Sequence, residues 1–120
     1  MRAIVVITTV GTEEQANLLA EELVERRNSC CVNILPVHRS VYRWKGQICD
    51  DSEYMLVIKT LEEHFDKVEA TILELHSYEL PEILAFNIAK GEAAFLSWIG
   101  GCVGGGRAET GDAAEATSES

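Results

Sequence analysis

The sequence is poor in cationic side chains and has no long apolar run. Ten Lys and Arg stand against 20 Asp and Glu, which gives a formal net charge of −10. This balance disfavours nucleic acid and anionic membranes as partners. No run of 18 apolar residues exists, and the first 15 residues lack both a long hydrophobic segment and a small-residue cleavage site. We therefore expect a cytoplasmic protein with no membrane or nucleic-acid partner.

Several motifs that carry chemistry are also missing. The sequence has no C-x-x-C or H-x-x-x-H pair, no G-x-S-x-G elbow and no G-x-x-x-x-G-K phosphate loop. The strand-to-helix corner at residues 8–12 has a single glycine, which indicates a capped turn rather than an anion site. The cysteines are most simply buried thiols, and adjacent Cys30 and Cys31 point to opposite faces of a strand. We expect no catalytic residue and no obligatory cofactor.

The stretch from Cys31 to Thr60 predicts one very long hairpin that turns at Lys45-Gly46. Two arms of about 14 residues at roughly 3.3 Å each give a length of about 46 Å. A compact domain of about 100 residues is only about 34 Å across, so the hairpin overshoots its own domain. Its tip carries Tyr42, Trp44 and Ile48. Aromatic surface of that size indicates that a second subunit receives the hairpin.

The remaining patterns predict an α+β chain. A buried strand over residues 2–9 precedes a helix that Thr12 opens, with Gln15 at capping-box spacing. After the hairpin, Thr60 with Glu63 repeats that spacing and predicts a helix over 61–75. A strand over 83–88 and a short helix over 92–99 follow. The order predicts a ferredoxin-like βαββαβ sandwich with an extra C-terminal helix.

The chain divides into one domain, residues 1–103, and an acidic segment, residues 104–120, whose composition predicts disorder. The strand sequences AIVVI and YMLVI are apolar on both faces. Two helices cover only one face of such a sheet, so a neighbouring subunit is expected to cover the other.

A candidate pocket groups side chains of the hairpin with side chains that follow the second helix. Glu53 and Lys59 are an even number of residues apart and share a sheet face. Interface salt bridges and aromatic anchors would give the same pattern as a ligand site. The six residues of the candidate pocket are Tyr42, Trp44, Glu53, Lys59, Tyr78 and Glu82.

The scattered histidines give only a weak metal signal. His76, near a helix C-terminus, is the best single candidate for a metal ligand, and an ordinary helix-end residue is the alternative interpretation.

Several segments together resemble the CutA family of divalent-cation-tolerance proteins. They are CCVNILP, SVYRWKGQI, Glu53, LVIKT, YELPEI and FLSWI. The resemblance runs in one register from residue 3 to about residue 100. It implies a cytoplasmic homotrimer assembled through the long hairpins, linked to tolerance of copper and other divalent cations. It also implies a structural similarity to the PII signalling proteins.

The family's copper site, as the resemblance implies it, uses a cysteine at the end of the first strand and histidines after the second helix. Here those positions hold Thr8, Leu75 and His76, and Ser77 stands where many members have proline.

We expect a non-enzymatic trimer that responds to metal ions. The alternative is a PII-like sensor that binds a small ligand between subunits. An acylphosphatase-like hydrolase is disfavoured, because the glycine-rich loop and positioned arginine of those enzymes are not visible in residues 8–15.

Overall fold

The computed structural model describes residues 2–104, which form a four-stranded antiparallel sheet with two helices on one face and a third helix at one end of the other. The strand order β2-β3-β1-β4 is that of a ferredoxin-like fold, as predicted. The acidic segment from residue 105 onward lies outside the described residues. The elements in chain order are β1 Ala3–Val10, α1 Glu13–Glu25, β2 Cys31–Trp44, β3 Gln47–Leu61, a 3₁₀ turn Glu62–His64, α2 Phe65–Leu75, β4 Leu84–Asn87 and α3 Ala93–Cys102.

The hairpin of β2 and β3 confirms the prediction from the sequence. Its arms have 14 and 15 residues, and the molecule measures 50 × 28 × 24 Å. Lys45 and Gly46 both have positive φ, 52° and 80°, as a two-residue type I′ turn requires. The pairing of β2 with β3 is irregular just after Pro36, where the register shifts between Val37 and Ser40. Such a bulge bends the hairpin and increases its twist.

The core lies between the sheet and helices α1 and α2. Alternate residues of β1 and β3, such as Val6 and Ile58, point into it and are fully buried. A smaller cluster, centred on Ile99, joins α3 to the end of β3. Helix α3 covers one end of the opposite face, where it packs on Ala3 and Leu61. The rest of that face has no covering element within residues 2–104, and Leu35, Leu84 and Phe86 are exposed there. This uncovered apolar surface is a feature that soluble monomers rarely show.

Two predicted helix starts have different outcomes. Thr12 caps α1, since its Oγ1 accepts the Gln15 backbone N–H at 3.1 Å. The second prediction is wrong, because Thr60 is buried and its hydroxyl donates to the Asn28 carbonyl at 2.6 Å. The chain therefore runs through a 3₁₀ turn before α2 begins at Phe65.

Candidate functional site

The short fourth strand leaves part of β1 exposed at its outer edge. β4 pairs only with Ile4–Ile7, so the edge from Thr8 to Val10 has no strand partner on that side. The segment 76–78, which follows α2, occupies this edge. His76 Nε2 lies 2.7 Å from the Thr9 carbonyl oxygen. The edge of the central strand thus holds the candidate site residues that come after α2.

Gln15 fixes this segment from the side of α1. Its side-chain amide donates to the Leu75 carbonyl at 2.8 Å, and its side-chain oxygen accepts from the Ser77 hydroxyl at 2.6 Å. Gln15 therefore does not complete the reciprocal capping box, because both ends of its amide are engaged with the end of α2. The result is a rigid junction between the start of α1 and the end of α2.

The two ring nitrogens of His76 have fixed roles. The Tyr78 backbone N–H can only donate, and it lies 3.0 Å from Nδ1, so Nδ1 is the acceptor. Nε2 faces a carbonyl oxygen and therefore carries the proton. This is the neutral imidazole with both nitrogens satisfied inside the chain. A metal bound at either nitrogen would have to displace one of these hydrogen bonds.

The position that the family's copper site would take in β1 is also unsuitable. Thr8 is fully buried, and its Oγ1 has no hydrogen-bond partner among residues 2–104. A neutral hydroxyl is a poor ligand for copper compared with a thiolate. No group of three or more His, Cys, Asp and Glu side chains in the described chain could hold a metal ion. The residues present in one chain therefore do not fit the implied copper site, and a ligand role for His76 stays a prediction.

Tyr78 and Glu53 form the polar centre of the candidate site. The Tyr78 hydroxyl donates to Glu53 Oε2 at 2.8 Å. Burial and this hydrogen bond raise the pKa of Tyr78 well above its usual value of 10.0, so the phenol keeps its proton. Gly11 permits the contact, since a Cβ at that position would lie 3.1 Å from the Tyr78 oxygen.

Glu53 is unusual because it is a carboxylate with only 8% of its surface exposed. Within residues 2–104 it forms no ion pair, and its one hydrogen bond is that from Tyr78. A buried carboxylate with no cation beside it is costly unless a positive group reaches it from outside the chain. The geometry therefore indicates a place for a cation, a ligand's positive group or a basic side chain of another subunit.

The other predicted pocket residues are engaged elsewhere. Lys59 Nζ contacts Asn33 Oδ1 and the Cys31 sulfur instead of Glu53, so the predicted charged pair does not form within the chain. Tyr42 donates to Asp51 at 2.5 Å, and this hydrogen bond raises the pKa of Tyr42 to about 12.

Trp44 and Glu82 also lie apart from the Glu53 carboxylate. Trp44 lies beneath Lys45, with the ammonium 5.6 Å from its ring centroid, and Lys45 also lies 3.4 Å from Glu79. Glu82 is exposed. Of the six predicted residues, Glu53 and Tyr78 are joined by a hydrogen bond, and Tyr42 lies close enough to interact electrostatically with both.

A separate open cleft of about 830 Å³ lies between α3 and the ends of β1 and β4. It is lined by Leu96, Gly100 and Gly101 of α3 and by Arg2, which pairs with Glu62 at 3.4 Å. None of the predicted site residues borders this cleft. We place the candidate site at Glu53, a largely buried acidic residue that has no cationic partner within residues 2–104.

A sequence model described as CutA1 divalent ion tolerance protein matches residues 4–102. The chain belongs to this family. The divalent-cation tolerance protein CutA of Thermus thermophilus is 43% identical over 95 residues, which cover 79% of this chain and 92% of that protein. The chloroplastic protein CutA of Arabidopsis thaliana is 36% identical over 97 residues, which cover 81% of this chain and 53% of that protein.

Solved CutA structures have the same fold. The Thermus thermophilus divalent cation tolerance protein superposes with a TM-score of 0.82 at 41% identity, and the alignment covers 85% of this chain and 99% of that chain. Among the residues that the structure describes, no helix is long and apolar enough to span a membrane. The CutA resemblance seen in the sequence is thus confirmed, along with its fold.

Proposed function

We propose that this CutA-family chain works as a cytoplasmic homotrimer in tolerance or response to divalent metal ions, without enzymatic turnover. The observation that carries the proposal is Glu53, a buried carboxylate with no cation within the described chain. Family membership supplies the link to divalent cations. The number of three subunits comes from the family resemblance.

The uncovered sheet face supports assembly. Phe86 on β4 is 53% exposed, and it belongs to the apolar surface opposite α1 and α2. The hairpin also extends beyond the body of the domain, in a molecule 50 Å long and 24 Å thin. Burial of both surfaces between copies would remove apolar area from water, which stabilises an assembly by about 25 cal/mol for each Å² buried. Assembly would also bring basic side chains of a second hairpin within reach of sites that one chain leaves incomplete.

A pair of matched variants tests the assembly. Phe86→Glu puts a charge on the uncovered sheet face, and Leu73→Glu puts one on the helix layer, at a residue that is 55% exposed. We expect light scattering to give a trimer for the wild type and for Leu73→Glu at micromolar concentration. Phe86→Glu should dissociate. A monomeric wild type would overturn the trimer, and a trimeric Phe86→Glu would overturn the role of this face.

Glu53 is the ligand that we propose each chain contributes to a cation. Its carboxylate supplies oxygen ligands, which suit Mg²⁺, Ca²⁺ or Mn²⁺ better than copper, and the Tyr78 phenol holds that carboxylate in place. Because the described part of one chain lacks three suitable ligands, the rest of the coordination would come from water and a second subunit. A role for copper would need ligands other than His76, whose nitrogens are both engaged.

Calorimetric titration with Mn²⁺, Zn²⁺ and Cu²⁺ tests this assignment. Glu53→Gln keeps the hydrogen-bond acceptor for Tyr78 and removes the charge, so it should abolish most of the binding. Glu63→Gln, at an exposed carboxylate on the 3₁₀ turn, is the control and should bind as the wild type does. His76→Ala should also bind normally. Equal binding by wild type and Glu53→Gln would contradict the assignment of Glu53.

A PII-like sensor is the second candidate, and the same observation favours it. The positive group of a small ligand could neutralise Glu53 as well as a metal ion could. A thermal-shift panel of metabolites and nucleotides separates the two candidates. Stabilisation by an organic compound that depends on Glu53, without any metal, would favour the sensor. Stabilisation by metal ions alone would favour the metal function.

A further inference from the structure

Two cysteines that are distant in the sequence meet at the end of α3. Cys30 precedes β2, and Cys102 is the last residue of α3. Their side chains pack on the same apolar cluster, which is centred on Ile99, and the two thiols are in hydrogen-bonding contact. Both are reduced and half-buried. No role of the candidate site uses this pair.

Independent contacts fix the two segments against each other. The Gly104 backbone N–H donates to the Arg27 carbonyl at 2.8 Å, which ties the chain after α3 to the turn before Cys30. Gly104 has a φ of 86°, and a Cβ there would lie only 2.7 Å from the His64 ring. The Cys30 thiol also lies 3.9 Å from the Lys59 carbonyl oxygen of β3. The thiols are thus held as neighbours by the fold, which raises their effective concentration for reaction with each other.

We propose that Cys30 and Cys102 form a reversible intramolecular disulfide when the protein meets a low-molecular-weight disulfide such as oxidised glutathione. The pair is an oxidative modification site at the base of the hairpin, at the end away from the Lys45-Gly46 turn. The disulfide would lock the end of α3 to the junction of α1 and β2. The folded chain already brings the two segments together, so the lock needs only local side-chain rotation.

The order of attack follows from the environment of Cys30. The hydrogen bond with Cys102 and then burial raise the pKa of Cys30, so Cys30 is mostly protonated at neutral pH and reacts second. The Cys102 thiolate attacks one sulfur of the glutathione disulfide, and one glutathione thiolate leaves and takes up a proton. Cys30 then loses its proton and attacks the Cys102 sulfur of the mixed disulfide, which releases the second glutathione. Two protein thiols are oxidised and one glutathione disulfide is reduced to two thiols.

The surroundings favour a disulfide over a metal complex of the same thiols. Leu61, Ile99 and Val103 form an apolar lining, in which a neutral disulfide is more stable than a pair of thiolates. No third metal-ligating side chain joins the pair within residues 2–104. A two-thiolate complex with a monovalent ion would leave a net negative charge in this lining.

The chain supplies matched controls. Cys31 lies one residue from Cys30, at the start of β2, where its sulfur is 3.9 Å from Lys59 Nζ. Cys49 lies on the hairpin, opposite Tyr42. Cys31→Ser and Cys49→Ser change the same chemical group as Cys30→Ser and Cys102→Ser without touching the proposed pair.

The experiment incubates the full-length protein with a series of glutathione redox buffers and maps disulfides by non-reducing peptide mass spectrometry. We expect one Cys30–Cys102 peptide pair, a loss of two of the four titratable thiols, and reversal by dithiothreitol. Cys31→Ser and Cys49→Ser should keep the linked pair, and Cys30→Ser and Cys102→Ser should lose it. The disulfide map of the wild type tests the proposal by itself, so a variant that folds poorly does not obscure the result.

Oxidation should also raise the thermal midpoint of the wild type, and Cys30→Ser should remove that rise. Four reactive thiols after oxidation would overturn the proposal, as would stable glutathione adducts or a link between other cysteines. Protection of both thiols by copper(I) with no disulfide formed would also overturn it, and would indicate a metal site instead. Loss of Mn²⁺ binding in Glu53→Gln tests the proposed function separately, since Glu53 lies outside the thiol cluster.

Discussion

Removal of the Tyr78 hydroxyl tests whether its hydrogen bond to Glu53 stabilises the folded protein. Tyr78→Phe keeps the ring and deletes the hydrogen bond that donates to Glu53 Oε2 at 2.8 Å. A hydrogen bond to a charged group contributes roughly 1.5–3 kcal/mol to folding stability. Tyr78 is 37% exposed, so water can replace part of the interaction and the expected loss lies at the lower end, about 1.5 kcal/mol. This loss of stability raises the equilibrium constant for unfolding about tenfold.

The matched control is Tyr42→Phe. Tyr42 also donates its phenol to a carboxylate, that of Asp51, but it does so on the exposed hairpin. We expect a clearly smaller loss for Tyr42→Phe than for Tyr78→Phe, because surface interactions of this kind are largely replaced by water. The comparison separates the effect of burial from the effect of removing a phenol.

Urea unfolding at fixed protein concentration measures both losses, and equal slopes permit direct comparison of midpoints. A cycle with Glu53→Gln and the double variant then isolates the coupling between Tyr78 and Glu53. The reasoning would be refuted by a loss for Tyr78→Phe below about 0.5 kcal/mol, the range of ordinary surface substitutions. A coupling of zero in the cycle would refute it equally.

Two further predictions concern the same hydrogen bonds. Gly11→Ala places a Cβ 3.1 Å from the Tyr78 oxygen, so it should displace the phenol and destabilise the wild type. In the Tyr78→Phe background this oxygen is absent. There Gly11→Ala should stabilise the fold by up to about 1 kcal/mol, because alanine lowers the entropy of the unfolded chain. The same sign in both backgrounds, measured by urea unfolding, would count against the contact. The hydrogen bond to Asp51 raises the pKa of Tyr42 from 10.0 to about 12, so its stabilisation is complete below pH 10 and is lost as the pH rises through 12. Asp51→Asn should therefore move one phenol titration, followed by ultraviolet absorbance, down toward 10, and an unchanged curve would contradict this.

Local sequence patterns predicted the helices and strands well. The features that they failed to predict depend on contacts between segments that are distant in the sequence. The Lys45-Gly46 turn and the Thr12 cap depend on neighbouring residues, and both are present. Thr60 has the same capping spacing as Thr12, yet its hydroxyl is buried and donates a hydrogen bond to the Asn28 carbonyl. A spacing rule cannot distinguish the two, because burial of the residue is set by the sheet.

At the candidate site, too, local patterns predicted part of the arrangement and contacts between distant segments set the rest. Alternation along β3 placed Glu53 and Lys59 on one face, but it could not show that Lys59 would contact Asn33. The engagement of His76 depends on β4 being short enough to leave the Thr9 carbonyl available. The contact between Cys30 and Cys102 depends on how α3 folds back onto the start of β2. None of these has a signal in the local sequence.

The departures from the family's copper pattern surround His76, and most are accounted for by contacts within the chain. Ser77 donates to Gln15, a bond that a proline at this position could not make. Leu75 packs against the core and offers its carbonyl to the same Gln15. His76 then has both nitrogens satisfied, so this region is built as a rigid junction. The Glu53 carboxylate differs, because its charge has no counterpart among the described residues. If this chain binds a cation, the Glu53 carboxylate is therefore a better candidate ligand than His76.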